Sequence, residues 1–264
     1  MKGDTRLRYR QDDLTLVIRQ FGPAPATTTA PPFVLVHGIG VSSRYFERLA
    51  RELAKHSTVF AVDMPGFGTA PKPHPRRQVS IEELAGLISG FLTEAGVRNP
   101  VLVGHSMGAQ IVTEMSVQDP ALTDRIVLIG PVVDPAAPTA LGQGLRLARD
   151  TLVEPPSANW LVFSDYIRCG PRWYLTELPV MLGYPIVERL ASVTASVLTI
   201  RGAVDPVAPV DWAGHLDSVA IRSTRLDVGG SGHVAQHSGA KTVAAAVLAH
   251  AGSPDTARNR PAET

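Results

Sequence analysis

Three residues of this chain have the types and spacing for nucleophilic chemistry: Ser106, Asp205 and His233. Ser106 is the centre of Gly104-His105-Ser106-Met107-Gly108, a G-x-S-x-G pattern. A serine hydroxyl is a weak nucleophile at its free pKa. It needs a base to take its proton, and the base needs an acid to orient it. Asp205 lies in Arg201-Gly202-Ala203-Val204-Asp205-Pro206 and His233 in Gly229-Gly230-Ser231-Gly232-His233-Val234. They follow the serine in the order serine, acid, histidine that a nucleophile on a strand-to-helix turn uses. Negative charge developing on an attacked carbonyl oxygen calls for two backbone donors. One of them is the N–H of Met107, the residue after the serine.

The elements around these residues must bring them to one place. Val101–Val103 is a short apolar run that fits a buried strand, and the apolar spacing after Ser106 turns helical. Such a turn strains the central residue and points its side chain outward, and a Cβ on either flanking glycine would crowd it. Ser106 then stands at a helix start, where free N–H groups favour a developing anion. Asp205 follows a strand over Ser196–Ile200, and His233 follows a strand over Ser223–Val228. All three residues therefore fall at carboxyl ends of strands, the edge where parallel α/β sheets form their sites. Further strands are expected over Arg6–Arg10, Leu14–Phe21, Phe33–Val36, Thr58–Val62 and Arg125–Ile129. Helices are expected over Ser43–His56, after a Ser80/Glu83 capping box, over Val210–Leu216 and over His237–Ala251. Alternation of this kind predicts a mostly parallel sheet with helices on both faces. From Pro131 to Leu190 the alternation fails, and prolines mix with helical spacing in what reads as an inserted helical segment.

At 264 residues, with 44% hydrophobic and 19% charged residues, the chain has a globular composition. Its net charge of +1 makes no electrostatic case for nucleic acid or an anionic membrane. The single Cys169 excludes an intrachain disulfide and suits a reducing compartment. The polar residues after Met1 do not form a signal-peptide core and no apolar run reaches membrane-spanning length, so a cytoplasmic protein is expected.

The pieces His37-Gly38-Ile39-Gly40, Asp63-Met64-Pro65-Gly66-Phe67-Gly68, Gly104–Gly108, Asp205-Pro206 and Gly232-His233 span nearly the whole chain, and together they make it resemble the α/β-hydrolase fold superfamily. The resemblance implies an eight-stranded, mostly parallel sheet with an antiparallel second strand and a small helical cap inserted after the sixth strand. It divides the chain into a first core part (1–133), the cap (134–190), a second core part (191–251) and a flexible tail (252–264). It also points to the Ile39 N–H as the second backbone donor, and it offers Asp134 as a competitor to Asp205 for the acid. His37 and His105 are expected to be structural, and Asp63 to accept N–H groups within the Pro-Gly loop.

The expected activity is hydrolysis of carboxylic esters of small to medium apolar molecules through an acyl-enzyme, with a small-molecule substrate and neither nucleic acid nor membrane as partner, the oligomeric state being left open by the sequence. Neither cofactor nor metal is implied, since the residue after His233 is Val234 rather than the Glu of a zinc-binding helix. Aromatic residues of the cap (Trp160, Phe163, Tyr166 and Trp173) are expected to line the substrate pocket. Two alternatives carry forward. One is carbon–carbon bond hydrolysis of ring-cleavage products, with Arg168 or Arg172 binding a carboxylate, although the Asn and Trp favoured there are replaced by His105 and Val234. The other is a small-molecule receptor with slow hydrolysis.

Overall fold

The computed structural model describes residues 4–23 and 30–252. The tail from 253 onward and part of the expected loop Gly22–Pro32 lie outside the described residues. Two strands, β1 (Thr5–Gln11) and β2 (Leu14–Phe21), form an antiparallel hairpin. The others are β3 (Phe33–Val36), β4 (Val59–Asp63), β5 (Val101–His105), β6 (Arg125–Ile129), β7 (Ser196–Gly202) and β8 (Ser223–Val228). They form one eight-stranded sheet in the order β1-β2-β4-β3-β5-β6-β7-β8, parallel from β4 through β8, with β2 antiparallel to β4.

The central strands β3, β4 and β5 are buried at every position, because helices cover both faces and apolar side chains are needed on both. Successive residues point to opposite faces. Val34, Val36 and Val62 join α2 (Ile81–Glu94), α3 (Met107–Gln118) and α8 (Val210–Val219) in one apolar layer. Leu35, Ala61 and Val103 join α1 (Glu47–Leu53) and α10 (Ala240–Gly252) in the other.

Local signals set the helix ends. Ser80 Oγ accepts the Glu83 N–H at 3.2 Å and Glu83 Oε2 accepts the Ser80 N–H at 3.0 Å, the reciprocal cap expected for α2. Asp63, at the end of β4, accepts from the Ser43 N–H at 2.7 Å and the Thr69 N–H at 3.0 Å, pinning the Pro-Gly loop. Two expected helices are divided. Ser43–Phe46 is a 3-10 turn that leads into α1, and the last helix breaks at Gly239 between α9 (Ala235–Ser238) and α10. A Cβ at Gly239 would fall 2.6 Å from Val228 Cγ1, so close packing on β8 decides that break.

Between β6 and β7 the chain forms four helices: α4 (Ala140–Asp150), α5 (Pro156–Cys169), α6 (Pro171–Gly183) and α7 (Ile186–Leu190). Buried polar contacts moor this insertion. Asp165 of α5 accepts from Ser42 Oγ at 2.5 Å and Arg44 at 2.7 Å, and Glu177 of α6 accepts from the Val79 N–H at 3.2 Å. Among the described residues, no helix is long and apolar enough to cross a membrane.

Candidate active site

Ser106 sits between β5 and α3 with φ 56° and ψ −120°, a conformation that an L-residue occupies only when its surroundings enforce it. The enforcement is visible on both sides. A Cβ on Gly104 would lie 2.1 Å from the Gly108 carbonyl oxygen, and one on Gly108 would lie 2.1 Å from the Val36 carbonyl oxygen. The two glycines let β3, β5 and α3 close around the turn, and the serine lines a cavity of about 260 Å³.

His233 lines the same cavity. Its Nδ1 donates to Asp205 Oδ2 at 2.9 Å, leaving Nε2 as the nitrogen free to take a proton. Asp205 Oδ1 accepts the N–H groups of Val207 at 2.7 Å and Ala208 at 3.0 Å, which fix the carboxylate plane. Burial works to raise the Asp205 pKa, but the His233 ring and the backbone donors outweigh it and hold the carboxyl below the usual range. Burial works to lower the His233 pKa, but Asp205, and after it Asp150 and Glu154, bring it above the usual imidazole value. No hydrogen bond joins the Ser106 hydroxyl to the His233 ring. Such bonds are commonly long before substrate binds.

The competing acid is placed elsewhere. Asp134 pairs with Arg146 at 2.6 Å and accepts the Ala136 N–H at 2.9 Å, and it makes no bond to His233. Ile39 lines the cavity beside Ser106, and Met107 opens α3 with its side chain in the core. Among the described residues, neither the Ile39 nor the Met107 N–H is bound to a protein acceptor, so both stay available to an incoming oxygen.

Five residues that sequence reasoning did not assign to the site, Tyr45, His105, Gly130, Asp150 and Glu154, hold its loops together. The Gly38 N–H donates to Tyr45 Oη at 2.8 Å, so the Tyr45 hydroxyl hydrogen goes to His105 Nδ1, also at 2.8 Å. His105 Nε2–H then donates to the His233 carbonyl at 2.8 Å. This relay ties the Gly38–Ile39 loop, the serine turn and the histidine loop with one neutral imidazole. Burial and the nearby His233 keep the His105 pKa well below its usual value.

From the insertion, Asp150 Oδ1 accepts the His233 N–H at 2.8 Å and Glu154 Oε1 accepts the Val234 N–H at 2.6 Å. Burial raises both carboxyl pKa values. Gly130 at the end of β6, with φ 50°, completes the fit, since a Cβ there would lie 2.9 Å from His233 Nδ1. Its signal in the sequence was a glycine directly after a buried strand on the active edge. Asp150 and Glu154 left no such signal.

The four aromatic residues expected in the pocket separate. Tyr166 lines the cavity, but Trp160 and Phe163 are 71% and 61% exposed on the outside of α5, and Trp173 is fully buried outside the cavity. Trp173 packs on Phe67 and fills the space over Gly66, where a Cβ would meet its ring nitrogen. The helical period explains the split: Asn159, Val162 and Tyr166 of α5 face the cavity, and positions 160 and 163 rotate away from it. Arg168 and Arg172 are also exposed and outside the lining.

The sheet order, the strained serine between strand and helix, and the acid and histidine at neighbouring strand ends come together with a match of the α/β hydrolase fold family model over residues 31–151. The chain has the α/β-hydrolase fold. An esterase from Rhodococcus sp. ECU1013 superposes with a TM-score of 0.76 at 20% identity, covering 96% of this chain and 99% of that one. The 2-hydroxy-6-oxo-6-phenylhexa-2,4-dienoate hydrolase from Rhodococcus sp. strain RHA1 has the same TM-score and identity, covering 94% and 98%. In sequence, a pimeloyl-acyl-carrier-protein methyl ester esterase from Pseudoalteromonas atlantica is 33% identical over 105 residues, 38% of this chain. The chain spans 37% of that relative's length and 29% of mycobacterial relatives at 32% identity.

Proposed function

We propose that the protein is a serine hydrolase that cleaves carboxylic esters of small to medium apolar molecules. The observation that carries this reading is Ser106, held in a strained turn and sharing one cavity with a histidine whose far nitrogen is bound to a buried carboxylate. Ser106 Oγ attacks the ester carbonyl as His233 Nε2 takes its proton. The carbonyl oxygen, now an anion, receives the Ile39 and Met107 N–H groups. Collapse expels the alcohol, which takes the proton from His233 and leaves an acyl-serine. Water activated by the same imidazole then releases the acid and restores the hydroxyl.

The cavity supports an apolar substrate portion. Ile39, Val41, Leu147, Val162, Met181 and Val207 line it. The amide nitrogens of its polar residues Gln143 and Asn159 are already bound to backbone carbonyls at 2.7 Å and 2.8 Å. Cleavage of ring-cleavage products would call for a cation in the pocket to hold a carboxylate, and Arg168 and Arg172 are outside it. The esterase reading is therefore favoured.

Ser106→Ala is expected to lower kcat/KM on short acyl esters by about 10⁴-fold or more, because nucleophile and base act as a unit. An organophosphonate should label Ser106 in the wild type and nothing in the variant. Most of the activity surviving in pure Ser106→Ala would sink the proposal. Tight ligand binding by a wild type that turns over none of these short acyl esters would favour a receptor instead.

A further inference from the structure

The insertion has a second face. Single exposed apolar side chains are ordinary on protein surfaces, but their concentration in one segment marks an interaction site. Of the eleven large apolar side chains exposed among the described residues, eight lie between Leu141 and Leu175. On α4, Leu141 and Leu145 are one turn apart; on α5, Trp160, Phe163 and Ile167 share a face; Leu152, 84% exposed, stands between the two helices. The inner faces of these same helices line the cavity over Ser106 through Leu147, Val162 and Tyr166.

The charge on this face has one sign. Every acid between positions 135 and 176 is buried: Asp150 and Glu154 on the histidine loop, and Asp165 against Ser42 and Arg44. The exposed charges of the same stretch are Arg149, Arg168 and Arg172, and none of them forms an ion pair among the described residues. The whole-chain charge of +1 hides this asymmetry, because the compensating acids face inward or lie elsewhere. A surface that pairs large apolar side chains with cations, and offers no exposed carboxylate, complements an interface of apolar chains under anionic head groups.

We propose that the outer face of α4, α5 and the first turn of α6 docks on an anionic lipid surface. Trp160, Phe163, Ile167 and Leu152 enter the acyl boundary. The arginines lay their stems along it with the guanidinium groups among the anionic head groups. Docking in this pose sets the roof of the Ser106 cavity against the lipid. The proposal rests on the exposed face and not on the hydrolase reading, and Ser106→Ala is expected to dock as well as the wild type.

The test uses the full chain with vesicles of phosphatidylglycerol or of phosphatidylcholine at low salt. Co-sedimentation with the anionic vesicles is expected, weakening as salt rises. Trp160 should report it, since Trp173 and Trp212 are 0% and 4% exposed and only Trp160 can change environment. The emission should shift to the blue on phosphatidylglycerol, and Trp160→Phe should lose that shift. Replacing Arg149, Arg168 and Arg172 with Gln should weaken anionic binding by about fivefold per arginine. Leu152→Ser with Ile167→Ser should reduce binding at an unchanged thermal midpoint, which separates lost docking from lost folding. Absence of vesicle binding, or binding indifferent to lipid charge and to the arginine changes, overturns the proposal. Self-association abolished by Trp160→Ser, with no vesicle binding, assigns the face to a second copy of the chain and overturns it equally.

Discussion

Around Ser106, two glycines occupy positions where a Cβ would fall 2.1 Å from a carbonyl oxygen, so no other residue fits either place. On α5, by contrast, Tyr166 lines the cavity and Trp160 stands 71% exposed, and nothing in their chemistry tells them apart. The turn is constrained by backbone against backbone, within a few residues of sequence and one strand pair. The insertion is constrained by the rotation of whole helices about their axes, which side chains of similar character leave open. Residue identity therefore reads as role in the first region and only as composition in the second.

That contrast can be broken most sharply on the core side. Asp205→Asn leaves the wrong His233 tautomer facing Ser106 and is expected to lower kcat/KM about 10⁴-fold, or roughly 5.5 kcal/mol at the barrier. Asp134→Asn removes only a pair with Arg146 and is expected to cost less than about tenfold, the order of a partly exposed ion pair. Steady-state kinetics on one ester separates the two. A crippled Asp134→Asn beside an active Asp205→Asn would reverse the assignment.

The insertion side is sharpened by a pair of aromatic substitutions. Trp173→Ala empties a fully buried site and is expected to cost about 3–5 kcal/mol of stability while preserving the ranking of acyl esters. Tyr166→Ala opens the cavity and is expected to change the ranking of kcat/KM from acetyl to octanoyl esters, with a methylene worth about 1–3 kcal/mol. Denaturant unfolding and an ester series report the two effects independently. A ranking moved by Trp173→Ala and unmoved by Tyr166→Ala would place the substrate pocket against Trp173 rather than Tyr166.

A subtler change is expected where the two regions meet. His233 is faced by Asp205 on the loop after β7, by Asp150 and Glu154 from the insertion and by the His105 ring at 4.6 Å. Its pKa is raised, and the neutral imidazole is the form that acts as base, so kcat/KM should fall as pH drops through that raised value. Asp150→Asn removes a negative charge and keeps an oxygen to accept the His233 N–H. The His233 pKa should drop, and the acid limb of the kcat/KM profile should move to lower pH. Asp150→Ala should also lower kcat, because the loop loses its acceptor. An acid limb unmoved by Asp150→Asn would show that the imidazole does not feel this carboxylate.

The sheet and the serine turn are legible from the residues alone. Buried apolar runs of strand length, the G-x-S-x-G spacing, and an acid and a histidine each just past a strand required no distant information, because strand period and turn sterics are local. The Ser80/Glu83 cap and the Asp63 loop were legible for the same reason. Only the tertiary structure decided which face of α5 meets the cavity, that Tyr45 and His105 relay between three loops, and that Asp150 and Glu154 reach the histidine loop across about eighty positions of chain. These contacts join segments remote in sequence, and a carboxylate that will accept a buried N–H has the same one-letter signature as one left in solvent. Burial separates them, and burial is a property of the packed chain.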